Sequence, residues 1–204
     1  WADHIENRGL LGSCADIHMG DDVVHAIIPL PGEHMIYNAM AAAAVALQFG
    51  MSKEEIAAGI SHVEAVAGRS HLVEAGDKVI IDDCYNANPV SMKAAIDLLA
   101  TAPGRKVAIL GDMFELGENE KAMHGEVGAY AAEKGIDLIL CVGELSESMY
   151  QEAVGSGGNA KYYETREALE AVLNEILQQG DTVLVKASHS MAFENLVKCI
   201  QVNQ

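Results

Sequence analysis

The sequence predicts an α/β fold, a mostly parallel sheet flanked by helices, preceded by the tail of another domain. From about residue 70 onward, short runs rich in Val and Ile alternate with longer segments of helical periodicity. Those runs are apolar at successive positions rather than at every second one, as a strand buried on both faces requires. Strands alternating with helices of this length imply right-handed βαβ crossovers, and hence parallel pairing.

Residues 1–31 read as short strands and turns. The run VVHAIIPL (23–30) is rich in β-formers, Asp21-Asp22 is turn-like, and Pro29 and Pro31 close the run. An Ala-rich helix is expected over 39–49, ending at Gly50. A second starts at Ser52, where S-K-E-E supplies a capping box with Glu55 three positions on. Two strands and two helices are too few to wrap a core, so this region reads as the end of a domain. Strands are then expected at 78–82 (KVIID), 106–110 (KVAIL), 137–142 (DLILCV) and 182–186 (TVLVK), with a weaker one at 160–163 and an edge strand at 71–73. Helical patterns occupy 89–100, 121–134, 145–153, 165–178 and 190–200. The loop Gly155-Ser156-Gly157-Gly158 fails the G-x-G-x-x-G pattern because Ala160 holds its last position.

Thirty acidic residues against 13 basic ones, a formal charge of -17, exclude a nucleic-acid partner, which needs clustered Lys and Arg. Cys14, Cys84, Cys141 and Cys199 are scattered with no C-x-x-C pair, which predicts free thiols in a reducing cytoplasm. The eight histidines show no H-x-x-x-H or H-E-x-x-H spacing, so no metal ligand is assigned. The longest apolar stretch, 39–47, is far short of the roughly 18 residues of a membrane span, and no signal peptide is visible. The sequence opens at Trp1 rather than Met, which suggests a chain that continues upstream.

Ligands of open α/β sheets bind beyond the carboxyl ends of the strands. Here the turns after the strands are polar: DDCYNANP (82–89), GDMFELG (111–117), GE (143–144) and ASHS (187–190). On one edge, four such turns make the rim of a cleft. Asp82 and Asp83 repel each other unless solvated or bound to something cationic or hydroxylic, such as a ribose diol or a magnesium-bound water. Asn88-Pro89 is a good helix start, and capping can be all that Asn88 does. Asp112 and Glu115 either cap the following helix or receive an ammonium group. Lys186 either reaches a phosphate or carboxylate or keeps a strand end soluble. His124 reads as a surface or packing residue. Asn38, at the start of an apolar helix, is either a cap or an amide for a heterocycle edge. Arg69 is either solvated or placed at a hinge to bind phosphate. No G-x-x-x-x-G-K-[ST] occurs, so the sequence has no phosphate-cradling loop and is not expected to hydrolyse ATP alone.

Taken together, these strings resemble the Mur ligases. LPGEHMIYNAMAAAAVAL (30–47), AGR (67–69), VIIDDCYNANPVSMKAA (79–95), VAILGDMFELGE (107–118), HGEVG (124–128) and GDTVLVKASHSM (180–191) occur in that family's order and spacing. DD-x-YNANP followed by LGDM-x-ELG resembles the branch that joins D-Ala-D-Ala to UDP-N-acetylmuramoyl-tripeptide. The resemblance implies that 1–67 is the C-terminal tail of a central ATPase domain and 68–204 a Rossmann-like C-terminal domain. It also implies a cytoplasmic, ATP- and Mg2+-dependent amide ligase of peptidoglycan-precursor synthesis, without membrane insertion, working through an acyl phosphate and a tetrahedral intermediate.

By position, Asn38 resembles the Asn that contacts adenine, and Arg69 the Arg that reaches the nucleotide from the hinge. Asp83 resembles the Asp that contacts the nucleotide from the third domain, with Asn86 and Asn88 beside it. The loop holding Asp112 and Glu115, and the turn from Lys186 to Ser188, are implied to face the incoming dipeptide. The family's phosphate-loop Lys and carbamylated Lys belong to upstream domains of the same polypeptide, so no catalytic residue is assigned. Met35, Ala187 and His189 depart from the family's Asn, Gly and Arg. Two other readings stand: a related ligase using a free amino acid or a folate, and a Rossmann-like binding module without catalysis.

Overall fold

A computed structural model describes residues 1–202 and divides the chain into two units, Trp1–Ala65 and Val66–Gln204. In the first, strands β1 (Ala2–Asn7), β2 (Ser13–Met19) and β3 (Asp22–Ile28) form an antiparallel sheet in sequence order. Helices α1 (His34–Gln48) and α2 (Lys53–Ser61) follow. The alternation of β2 and β3 puts Ala15, Ile17, Val24, Ala26 and Ile28 on one face, where they pack with Ile36, Ala39, Ala43, Ile56 and Ile60 of the helices. The expectation that these elements cannot wrap a core is therefore corrected. A third strand and a longer α1 supply the missing apolar surface.

Helix α1 starts five residues before the expected 39, because Met35 and Ile36 already donate to the carbonyls of Gly32 and Glu33. Its first turn, His34-Met35-Ile36-Tyr37, interleaves Met35 and the buried Ile36 with polar and aromatic residues, so it lies outside the Ala-rich run from which the sequence predicts the helix. The capping box of α2 forms as the sequence suggests. Glu55 N donates to Ser52 Oγ at 3.2 Å, and Ser52 N donates to Glu55 Oε2 at 2.8 Å.

The second unit contains β4 (His71–Ala75), β5 (Lys78–Asp82), α3 (Pro89–Ala100), β6 (Lys106–Gly111), α4 (Glu120–Glu133), β7 (Leu138–Val142), α5 (Ser146–Gly155), β8 (Ala160–Tyr163), α6 (Arg166–Glu170), α7 (Leu173–Ile176), β9 (Thr182–Lys186) and α8 (Glu194–Val202). Its six-stranded sheet has the order β4-β5-β9-β6-β7-β8. Only β4 runs antiparallel to its neighbour; the other pairings are parallel. Alternate strand residues, among them Ile80, Ile109, Leu140 and Val185, pack with Leu169, Leu173, Leu196 and Val197 of α6, α7 and α8. The intervening residues point the other way, the side on which α3, α4 and α5 contact β6, β7 and β9.

The helix expected over 165–178 is two short helices, broken at Ala171-Val172, with Val172 at ψ 0. The pattern at 190–200 resolves into a 3-10 turn, His189–Met191, and then α8; Ala192 between them adopts left-handed backbone. The register pairs Asp82 with Val185, Leu110 with Lys186, and Gly111 with Val142. The carboxyl ends of β5, β9, β6 and β7 thus lie level at one edge, and the four polar turns begin there.

Candidate functional site

The turn after β5 is organised by its two aspartates, which divide the work. Asp82 is buried; its Oδ2 accepts the Gly68 N–H at 2.9 Å and its Oδ1 accepts the Cys84 thiol at 2.9 Å. Asp83 turns the other way. Its Oδ1 accepts the Ser70 N–H at 2.8 Å, and its Oδ2 accepts Lys186 Nζ at 2.6 Å. Lys186 comes from the end of β9, 103 residues away, and its side chain is 3% exposed. Its ammonium also donates to the carbonyls of Asn86 at 2.9 Å and Asp83 at 3.4 Å. An ammonium has three N–H donors, and here all three are taken within the chain. Lys186 therefore spends its ammonium on Asp83 and two carbonyls of its own chain, rather than leaving it open for a ligand's phosphate or carboxylate.

Asn88 caps α3. Its side chain accepts the Ser91 N–H at 2.9 Å and Ser91 Oγ accepts the Asn88 N–H at 3.1 Å. Asn86 is exposed and accepts the Ala87 N–H at 2.8 Å, which leaves its amide NH2 uncommitted among the described residues. Burial, and then the bond to Asp82, push the Cys84 thiol pKa upward; burial alone pushes Cys141 to about 12. Neither is a thiolate nucleophile at neutral pH.

The turn after β6 meets the turns after β9 and β7. Asp112 is buried and does not cap α4, the next helix. Its Oδ1 instead accepts the backbone N–H and the hydroxyl of Ser146, at 2.8 and 2.6 Å, at the start of α5. The Asp112 carbonyl accepts the Ser188 N–H at 3.0 Å, and Ser188 Oγ accepts the Phe114 N–H at 2.9 Å. Gly143 passes close by with φ +114, and a Cβ there would stand 2.5 Å from the Asp112 carboxylate. Glu115 is exposed, in left-handed backbone at φ 63, with no hydrogen bond or ion pair among the described residues. His124 is fully buried: Nε2 accepts the Met113 N–H at 2.8 Å, and Nδ1 lies 2.7 Å from the Glu120 carbonyl. That arrangement requires the neutral tautomer with its proton on Nδ1 and is a packing role.

Arg69 is exposed and lays its guanidinium over the Tyr85 ring at 3.9 Å; it makes no ion pair among the described residues. The His189 ring lies 5.6 Å from that of Tyr85. In the first unit, Asn38 is exposed within α1, and among the described residues its side-chain amide donates to Met35 Sδ alone, at 3.2 Å. The C-terminal unit therefore brings Arg69, Asp83, Asn86, Asn88, Asp112, Lys186 and Ser188 into adjoining turns at one sheet edge. Tyr85, one of the polar residues the sequence offers after β5, joins the set, as do Ser70 and Ser146, which carried no weight in the sequence reading. Ser146 alone left a signal, as a serine beside the expected helix start at 145.

Residues 68–189 match the family model described as the Mur ligase, glutamate ligase domain. The chain is 39% identical over 183 residues to the UDP-N-acetylmuramoyl-tripeptide–D-alanyl-D-alanine ligase of Escherichia coli strain K12, covering 88% of this chain and 40% of that protein. It is 38% identical over 177 residues to the enzyme of the same name from Bacillus subtilis strain 168, covering 84% of this chain and 38% of that one. Among solved structures, MurF from Acinetobacter baumannii matches 98% of this chain and 45% of its own, with a TM-score of 0.91 and 30% identity. The chain spans less than half the length of each of these relatives. The motifs, the sheet edge they build and the family match agree, and the chain belongs to the Mur ligase family.

Proposed function

We propose that this chain is the C-terminal part of an ATP-dependent ligase that joins D-Ala-D-Ala to UDP-N-acetylmuramoyl-tripeptide in cytoplasmic peptidoglycan-precursor synthesis. In this reading residues 1–67 finish a central ATPase domain, and 68–204 form the Rossmann-like C-terminal domain. The observation that carries the reading is the rim itself, four turns tied by Lys186–Asp83 and Ser188–Asp112–Ser146 into one hydrogen-bonded edge. ATP, when bound, supplies the phosphoryl group that activates the tripeptide carboxylate for attack by the dipeptide amine.

The donor set suits the nucleotide. Arg69 offers a planar guanidinium stacked on Tyr85 rather than committed to a carboxylate, as a phosphate ligand should be. Asp83 keeps lone pairs beyond its two main partners, enough to accept a ribose hydroxyl. Asn86 offers its amide beside it, and Asn38 presents an exposed amide for a base edge. Lys186 and Asn88 act as positioning residues, one holding Asp83 and the other the helix behind it. On the dipeptide side, exposed Glu115 is suited to an ammonium group, and the Ser188 hydroxyl can still donate to a carboxylate. Asp112 holds the two turns together.

The same residues do not suit Mg2+. Asp82, Asp83 and Asp112 already accept N–H, S–H, O–H or ammonium donors, whereas a hard cation takes open carboxylates and waters. No magnesium ligand is assigned to this chain.

The test is Arg69→Ala in the full-length enzyme, followed by phosphate release. Loss of one charge-assisted contact is expected to raise KM for ATP about tenfold while KM for D-Ala-D-Ala stays unchanged. Absence of phosphate release with tripeptide and D-Ala-D-Ala present would overturn the reading, as would preference for a free amino acid or a folate as acceptor.

A further inference from the structure

The inner face of the N-terminal sheet is apolar, but its outer face carries an unusual row. Asp3 sits directly opposite Asp16 across β1 and β2, and Asp16 directly opposite His25 across β2 and β3. Two carboxylates facing each other on paired strands repel. The pairing breaks after Asp3, where His4 takes φ 47, and the His4 ring joins the row. Its Nδ1 lies 3.3 Å from Asp3 Oδ1 and 3.0 Å from Asp16 Oδ2. His25 Nδ1 lies 2.6 Å from the other oxygen of Asp16, and His18 Nε2 lies 2.9 Å from Asp3 Oδ1. The His18 ring is itself held by stacking on Trp1, 3.5 Å away and 7° from parallel.

We infer that this row binds a divalent transition cation of the zinc class, with His4 Nδ1, Asp3 Oδ1 and Asp16 Oδ2 as its protein ligands. Ligand atoms about 2.0–2.1 Å from a tetrahedral zinc ion stand about 3.3 Å from one another. The two His4 contacts, 3.3 and 3.0 Å, already match that spacing. Asp3, His4 and Asp16 each offer a ligand atom, and these lie within 4.8 Å of one another. One imidazole with two carboxylates favours Zn2+, Co2+ or Ni2+ over Mg2+ or Ca2+, which take oxygen ligands alone. Water completes the coordination on this open face. His18 and His25 hold the two carboxylates from outside, the kind of support that orients ligands at metal centres. A bound cation also removes the repulsion between Asp3 and Asp16. None of these residues takes part in the ligase reading, so the two proposals stand or fall separately.

The test adds Co2+ to the 204-residue chain and follows the visible d–d absorption, with Zn2+ and excess Mg2+ as competitors. One equivalent of Co2+ is expected to bind, to be displaced by Zn2+ and to be unaffected by Mg2+. His4→Ala and Asp16→Asn are each expected to weaken binding at least about tenfold, with far-UV circular dichroism unchanged. His62→Ala, an exposed histidine of the same unit, is expected to bind as the parent does. Should either row variant lose its fold, Asp3→Asn and His25→Gln take its place. Absence of a saturable single site, or row variants that bind Co2+ as well as the parent, overturns the proposal and leaves the histidines as hydrogen-bonding partners of Asp3 and Asp16 only.

Discussion

Asp83 and Asp16 are each gripped on both oxygens, but in different surroundings. Around Asp83 the cation is an ammonium whose side chain is 3% exposed, against 15% for the carboxylate. Around Asp16 the partners are His4 and His25, 80% and 79% exposed, on an open sheet face. Water surrounds the second arrangement and hardly reaches the first, so the same two-sided grip on a carboxylate has different consequences. At the buried rim the pair fixes backbone geometry, and losing one member strands the other. On the open face the groups contribute little to folding and stay exchangeable, which suits them to an external ligand.

The sharpest way to break that comparison is to remove one cation. Lys186→Met leaves Asp83 without its ammonium and the Asn86 carbonyl without its donor. It is expected to destabilise the C-terminal unit by about 3–5 kcal/mol, measured by urea unfolding with amide exchange read at β5 and β9. Adding Asp83→Asn should recover part of that loss, since the stranded charge is then gone. Asp16→Asn in metal-free protein should leave the urea midpoint of the first unit unchanged. Equal effects at the two sites would erase the distinction.

This contrast also separates what the sequence announces from what it hides. Runs such as KVIID and TVLVK announce buried strands by composition alone, and Asn88-Pro89 and S-K-E-E name their own caps because those interactions are only three residues long. Lys186 with Asp83 spans 103 residues, and Ser146 with Asp112 spans 34. No spacing rule links such pairs. The polar turns could be placed on one edge, but which of their groups would be consumed internally could not. Asp112 is the clearest instance: its sequence neighbourhood suggests a cap for α4, and the fold uses it at α5. The row on the first unit was hidden likewise. Its histidines lie on three strands, so a search for helical zinc spacings passes over them.

Glycines sharpen the comparison at the next level of effect. Gly143→Ala adds a methyl group 2.5 Å from the Asp112 carboxylate, at φ +114. Overpacking and backbone strain together should cost about 3 kcal/mol. Gly20, in the turn between β2 and β3, has φ +65 but open space around it. Gly20→Ala should cost only the backbone part, about 1 kcal/mol. Thermal unfolding of the two variants checks the difference, and equal costs would mean that the Asp112 turn moves aside freely.

The smallest effect separates the two capping boxes. The first-unit box closes with Glu55 and the second-unit box with Ser91. Donation by the Ser52 N–H, and then by its side chain, holds the Glu55 carboxyl below its ordinary value of 4.5. A depressed folded value means that the contribution is complete above the unfolded value and fades as pH falls through the folded one. Acidification below about pH 4.5 should therefore fray the start of α2, seen as faster exchange of the Ser52 and Glu55 amides relative to the rest of their unit. Glu55→Gln should flatten that dependence while keeping the acceptor. The α3 cap contains no carboxylate, so Asn88 and Ser91 should show no matching step over the same range. A step of equal size at α3 would mean that global acid unfolding, rather than the charge on Glu55, sets the response.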